Sequence, residues 1–300
     1  FEGRSEDAQG PSDPRGDGRG AERAVTLIEF KGVSFVHETG VTALSDVSLA
    51  VGRGETVAIV GENGAGKTTL VRHINGLLKP TKGSVVVDGV DTRETTTATL
   101  SRKVGVAFQN PDHQLFSESV ENEVKFAMRN FGFSEELVSQ RLDWALKFFG
   151  LEQYRKSSPL VLSGGEKKRL TLACILAWDP EVVVLDEPTV GQDALQKEKL
   201  GQIFRLLQST GKTIFLVSHD VEFLWPIQPR LVVMSGGRVV ADGKISKIMA
   251  DRELLEGARV TQPQLLRLYA GLRRRPTTPF LDVLEARDWI GGKKESPGAG

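Results

Sequence analysis

The chain predicts an α/β fold, a parallel sheet flanked by helices, from three observations. Short runs rich in Val, Ile and Leu alternate with helical patterns along most of the length. One run, "VAIV", passes directly into a glycine-rich turn and a lysine-led helix. Another, "VVVL", ends on two adjacent carboxylates, Asp186 and Glu187. Strands covered on both faces read as continuous apolar runs, whereas one-sided strands alternate, and the central runs here are of the first kind.

The elements follow in order. The first twenty residues combine Gly, Pro and mixed charge with almost nothing apolar, so burial cannot offset the entropy of ordering them, and residues 1–24 read as a disordered arm. "VTLIEFKGVSFV" from Val25 mixes β-branched and aromatic residues with polar ones, and "ALSDVSLAV" gives a second strand signal. "ETVAIVG" leads to a helix through Asn75, and "VGVAFQ" to helices between Val120 and Phe149. "EVVVLDEP" precedes a helix near Ala194 to Leu207, and "KTIFLVSHD" precedes another. "RLVVMSGGRVVADG" is a hairpin with Gly236 and Gly237 in the turn. Beyond about Met249 the apolar spacing is helical again, in "RELLEGA" and "PQLLRLYAGL".

Composition narrows the function classes. Lys+Arg and Asp+Glu are equal at 39 each, so no global charge draws the protein to nucleic acid or an anionic membrane. No apolar stretch approaches the roughly 20 residues that span a bilayer, so a membrane role requires spans from another chain. The single cysteine, Cys174, excludes an internal disulfide and sits in the apolar run "LTLACILAW", where it reads as a buried structural thiol.

The chemistry begins at "GENGAGKTTL", which fits G-x-x-x-x-G-K-[ST] between a strand and a helix. Gly61, Gly64 and Gly66 let backbone N–H groups of the loop Gly61–Thr69, Asn63 and Ala65 included, close around phosphate oxygens. The helix start adds a positive field. Lys67 is placed for the terminal phosphates and the Thr68 hydroxyl for Mg²⁺, with Thr69 next along the helix. Asp186 is the strand-end carboxylate that such a site needs for the metal, and Glu187 beside it is the candidate to polarise an attacking water. Gln109 and His219 end other apolar strands and Asp193 follows the carboxylate pair in "TVGQD", and strand carboxyl ends form the ligand crevice of an open α/β sheet. "LSGGE" at 162–166 fits a capping box, Ser163 as N-cap and Glu166 three residues on. Gly164 and Gly165 are not needed for capping, and their bareness suits close approach to a phosphate.

This ordered set resembles the ATP-binding subunit of ABC transporters over roughly residues 25–250. Within that family "FQNPDHQLF", "SVENEVKFA" and "LSGGEKKR" resemble the ATPases of energy-coupling factor and cobalt/nickel importers. The resemblance implies a P-loop NTPase of the ABC ATPase fold. Its parts are an N-terminal antiparallel β subdomain, a RecA-like core, a helical subdomain at about 110–178 and a helical dimerisation extension at 251–300 with a flexible end. It implies ATP and Mg²⁺ as ligands and a head-to-tail pair of ATPase subunits, identical or related. Each ATP would lie between one P-loop and the partner's Ser163, Gly164, Gly165 and Glu166. It implies Asp186 and Gln109 at the metal, Glu187 as general base, His219 at the γ-phosphate, Asp193 in a D-loop and His37 stacked on adenine. It further implies a transmembrane coupling protein docked near Asn110 to Phe116, a separate substrate-binding membrane protein, and a place on the cytoplasmic face of the membrane, with no nucleic-acid partner. A soluble ABC ATPase of translation or DNA repair is one alternative, although the second nucleotide domain or coiled-coil insertion usual there is not visible; the ATPase subunit of another ABC importer or of an exporter is another, although exporters commonly fuse the membrane helices to this domain.

Overall fold

The computed structural model describes residues 26–292, so the expected N-terminal arm and the last residues of the chain lie outside the described residues. Two sheets organise the molecule. The first carries β1 (Thr26–Val36), β2 (Thr42–Gly52), β4 (Lys82–Val87) and β5 (Val90–Asp91) in the order β2-β1-β4-β5, all antiparallel. The second carries β3 (Thr56–Gly61), β6 (Val104–Ala107), β7 (Val182–Asp186), β8 (Thr213–Val217), β9 (Arg230–Ser235) and β10 (Arg238–Lys244), in the order β10-β9-β3-β8-β7-β6. It is parallel except for β10, which returns against β9. Gly236 and Gly237 both take positive φ, 53° and 76°, as a two-residue hairpin turn demands.

The parallel strands are buried on both faces, and their side chains divide by period two. Val57, Ile59, Val182, Val184, Phe215 and Val217 enter a core shared with the antiparallel sheet and α1 (Lys67–Ile74). Ala58, Val60, Val183, Leu185, Ile214 and Leu216 enter the other core, covered by helices. Each Val, Ile, Leu or Phe among them contributes about 1.5–3 kcal/mol on burial, and a one-residue slip of any strand would exchange the two sets.

Helix α2 (Thr97–Leu100) precedes β6, and α3 (Val120–Asn130), α4 (Glu135–Phe149) and α5 (Gly164–Ala177) lie between β6 and β7 in the chain. Ser119 and Ser134 cap α3 and α4, and Gly150 ends α4 in the left-handed conformation. Helix α6 (Ala194–Ser209) lies between β7 and β8. Downstream of β8 the helix is a single turn, α7 (Val221–Leu224), passing into a 3-10 turn at Trp225–Ile227 that contains Pro226. Cys174 packs against the helical core, and burial pushes its thiol well up.

The chain closes with α8 (Ile245–Ile248), α9 (Arg252–Gly257), α10 (Gln264–Gly271) and α11 (Val283–Ile290). The tail packs on its own chain. Leu255, Ala258 and Leu266 join the helical core, and Trp225 donates its indole N–H to the Phe280 carbonyl at 2.6 Å. Among the described residues no helix is long and apolar enough to cross a membrane.

Candidate functional site

The glycine-rich turn sits at the carboxyl end of β3, and its glycines are dictated by geometry. Gly61 has φ 145°, and a β-carbon there would lie 2.1 Å from the Met234 carbonyl oxygen; Gly66 has φ 95°, with the Ala43 carbonyl 2.4 Å from the same addition. Lys67 is buried, its ammonium donating to the Gly61 and Glu62 carbonyls at 2.8 and 2.9 Å, so the loop is braced by its own lysine. Burial pushes that ammonium below its ordinary range, while Glu187, Asp186 and Glu62 pull it back up.

Thr68 donates its hydroxyl to Asp186 Oδ2 at 2.9 Å, joining the start of α1 to the end of β7. Asp186 Oδ1 is buried with no partner among the described residues. Burial raises the Asp186 carboxyl, with the Thr68 bond opposing and Glu187 adding to the rise. A hydroxyl and an orphaned carboxylate oxygen at the foot of a phosphate loop are hard oxygen donors with spare capacity, and they fit a Mg²⁺ ion.

Glu187, 7% exposed, takes φ 51°, a conformation that costs a non-glycine residue on the order of 1 kcal/mol or more. Its N–H donates to the Val217 carbonyl at 2.8 Å. Its Oε2 accepts from the His219 backbone at 3.3 Å and lies 2.8 Å from His219 Nδ1. Walker-type carboxylate and strand-end histidine are thus one unit.

These residues share a cleft of about 920 Å³ lined by His37, Asn63, Gly64, Gly66, Lys67, Thr68, Thr69, Gln109, Glu187 and His219. Of the remaining loop residues, Ala65 is buried behind the cleft and Gly61 turns the chain into it. The His37 ring meets Phe35 edge-on, 5.0 Å between centroids, and Phe35 meets His73 likewise.

Three sets of residues are held by bonds and contacts within the chain. Ser163, Gly164, Gly165 and Glu166 do not line this chain's own cleft. Ser163 caps α5 in a complete capping box. Glu166 accepts from the Ser163 N–H at 2.8 Å, the Ser163 hydroxyl at 2.7 Å and the Tyr154 hydroxyl at 2.6 Å, and these bonds draw its carboxyl down to about 2. Second, the bareness of Gly165 is used within the chain, because the Gln196 amide fills the place of its β-carbon at 2.8 Å; only Gly164 has open space above it. Third, Asp193 caps α6 by accepting from the Gln196 N–H at 2.8 Å, while Gly191 and Gln192 face the cleft instead.

Sequence reasoning missed the tail's part in the cleft. Thr261 lines it, as does Glu222, which accepts the Gln264 N–H at 2.9 Å; Arg259 pairs with Glu62 of the phosphate loop at 3.1 Å. No local pattern marks these contacts, since each joins segments far apart in sequence.

Comparison with known proteins identifies the family. The family model for ABC transporters matches residues 44–190. The chain is 42% identical to a putative ABC transporter ATP-binding protein of Pyrococcus furiosus, over 86% of this chain and 98% of the relative. It is 40% identical to the energy-coupling factor transporter ATP-binding protein EcfA2 of Clostridium perfringens, over 78% and 84%. Among solved structures it matches cbiO1 of Clostridium perfringens, described as part of the ABC transporter complex cbiONQ. That match has a TM-score of 0.68 and 32% identity, covering 81% of this chain and 97% of that one.

Proposed function

Because this chain belongs to the family of ABC transporter ATP-binding proteins, whose members hydrolyse ATP to power transport, we propose that it drives an importer of the energy-coupling factor type that takes up a vitamin or a transition-metal ion such as cobalt. The observation that carries the reading is the meeting, in one cleft, of Lys67, Thr68 and Glu187, with Asp186 joined to the cleft by its bond to the Thr68 hydroxyl.

In this reading the loop N–H groups and Lys67 hold the phosphates of ATP, while Thr68, Asp186 and Gln109 hold Mg²⁺. The metal, when bound, neutralises charge on the transferring phosphoryl group. Glu187 is the general base. As the water oxygen bonds to the γ-phosphorus, its proton passes to Glu187; the bond from that phosphorus to the β–γ bridging oxygen breaks, and ADP departs with the electron pair. The contact between His219 Nδ1 and Glu187 holds the carboxylate in place and leaves the far edge of the imidazole for the γ-phosphate. His37 stacks on the base.

A second ATPase subunit, a copy of this chain or a close relative, supplies Ser163 and Gly164 to the opposite face of each ATP. Two findings support that arrangement: residues 163–166 do not line their own cleft, and the space above Gly164 is open. ATP closes the pair and hydrolysis reopens it. The transmembrane coupling protein docks beside residues 110–116, where Phe116 is 67% exposed and packs edge-on against the half-exposed Phe126. The protein then works peripherally at the cytoplasmic face, with substrate captured by a further membrane protein. The helical tail supports the paired state.

Copurification from membranes tests the assignment. Recovery with a coupling protein and a substrate-binding membrane protein is expected. Recovery with ribosomes or DNA and no membrane protein would overturn it.

A further inference from the structure

The tail is attached to the nucleotide cleft by a residue type that its backbone disfavours. Helix α9 ends in a Schellman-type turn: Val260 N–H bonds to the Leu255 carbonyl at 2.9 Å and Arg259 N–H to the Glu256 carbonyl at 3.1 Å. The residue in the left-handed position of such a turn is usually glycine, because a β-carbon crowds the backbone there. Here it is Arg259, with φ 53°. Its side chain is mostly exposed, so packing does not account for it; what it reaches is Glu62, 3.1 Å away, the one carboxylate within the phosphate loop. Two residues on, Thr261 lines the cleft, and the Gln264 N–H then bonds to Glu222, which also lines it. The segment 259–264 therefore runs along the cleft edge from the phosphate loop to α7.

A carboxylate inside a loop that must hold a triphosphate is a liability, since like charges repel. The charge of Glu62 is felt at Lys67, the loop's cation. Resting on the ATP-site reading above, we infer that Arg259 is a positioning residue of the nucleotide site: it neutralises Glu62, so that the C-terminal tail tunes the affinity of its own chain for nucleoside triphosphate. The tail then carries two duties, and any event that lifts it from the cleft weakens nucleotide binding.

The test is nucleotide affinity in the full chain, measured by titration calorimetry with ADP and with a non-hydrolysable ATP analogue, each with Mg²⁺. Arg259→Gly is expected to raise the melting temperature by about 1–3 °C, because glycine relieves the left-handed backbone. The same variant is expected to weaken the ATP analogue about two- to fivefold, the scale of an exposed ion pair. The loss should be smaller for ADP, which carries less charge, and should shrink as salt is raised. Arg259→Lys should stay near the parent. Removing the liability as well, in the double variant Arg259→Gly with Glu62→Gln, should restore the parent affinity. A single variant that binds as the parent does overturns the inference, as does a double variant as weak as the single one. Failure of the parent chain itself to bind ATP would instead overturn the ATPase reading.

Discussion

The phosphate loop and the start of α5 are both glycine-bearing helix starts, yet they are built for different tasks. In the loop, Gly61 and Gly66 have no room for a β-carbon, Lys67 is buried on its own loop's carbonyls, and Thr68 ties the helix to Asp186. At α5, Ser163 and Glu166 satisfy each other and Tyr154, and the space above Gly164 is open. The first is a finished half-site with one orphaned oxygen, Asp186 Oδ1, aimed at what it has still to bind. The second is satisfied within its own chain, and under the proposed function it gains a task when another subunit's nucleotide approaches.

Variants can break this contrast from either side. The largest effect is expected from Glu187→Gln, which should retain MgATP binding and lower turnover by about 10²–10⁴-fold, the usual worth of a general base; near-normal steady-state hydrolysis would remove Glu187 from that role. Lys67→Ala should weaken nucleotide binding by about 1.5–3 kcal/mol, read by calorimetry. Unchanged affinity would mean the loop holds no phosphate.

On the α5 side, Ser163→Ala should leave nucleotide binding by the isolated subunit intact and cost about 0.5–2 kcal/mol of stability through the lost cap, read by chemical denaturation. The smallest effect concerns pH. The Glu166 carboxyl is drawn below the ordinary glutamate range, to about 2, by Tyr154 first and Ser163 next. A depressed carboxyl lends stability that is whole above the unfolded value and is lost as pH falls from there to about 2. The melting temperature of the parent should therefore approach that of Glu166→Gln across this window; curves that stay parallel would show that the box contributes nothing through its charge.

The same contrast explains what could be read in the sequence. The loop is legible because backbone geometry fixes its glycines, and the carboxylate pair, Gln109 and His219 are legible by position, each standing at or just beyond the end of a continuous apolar strand. The capping box was legible because it is local. Strands β4 and β5 were not assigned, although "VVVDGV" carries a hairpin signal around Asp88 and Gly89. The space beside Gly165, taken by Gln196, and the capping duty of Asp193 depend on how α6 lies against α5, which no local pattern encodes. The pairing of Arg259 with Glu62 is the extreme case, since the α9 turn would ordinarily be read as wanting glycine.

Complementation of ATPase activity tests most directly the central claim, that each nucleotide is completed by a second subunit. Ser163→Arg and Glu187→Gln chains should each be nearly inactive alone. Mixed, they should recover turnover, because a pair of the two forms holds one nucleotide between an intact Glu187 and an intact Ser163. Full activity of Ser163→Arg alone would contradict the account and leave the α5 start as nothing more than a helix cap.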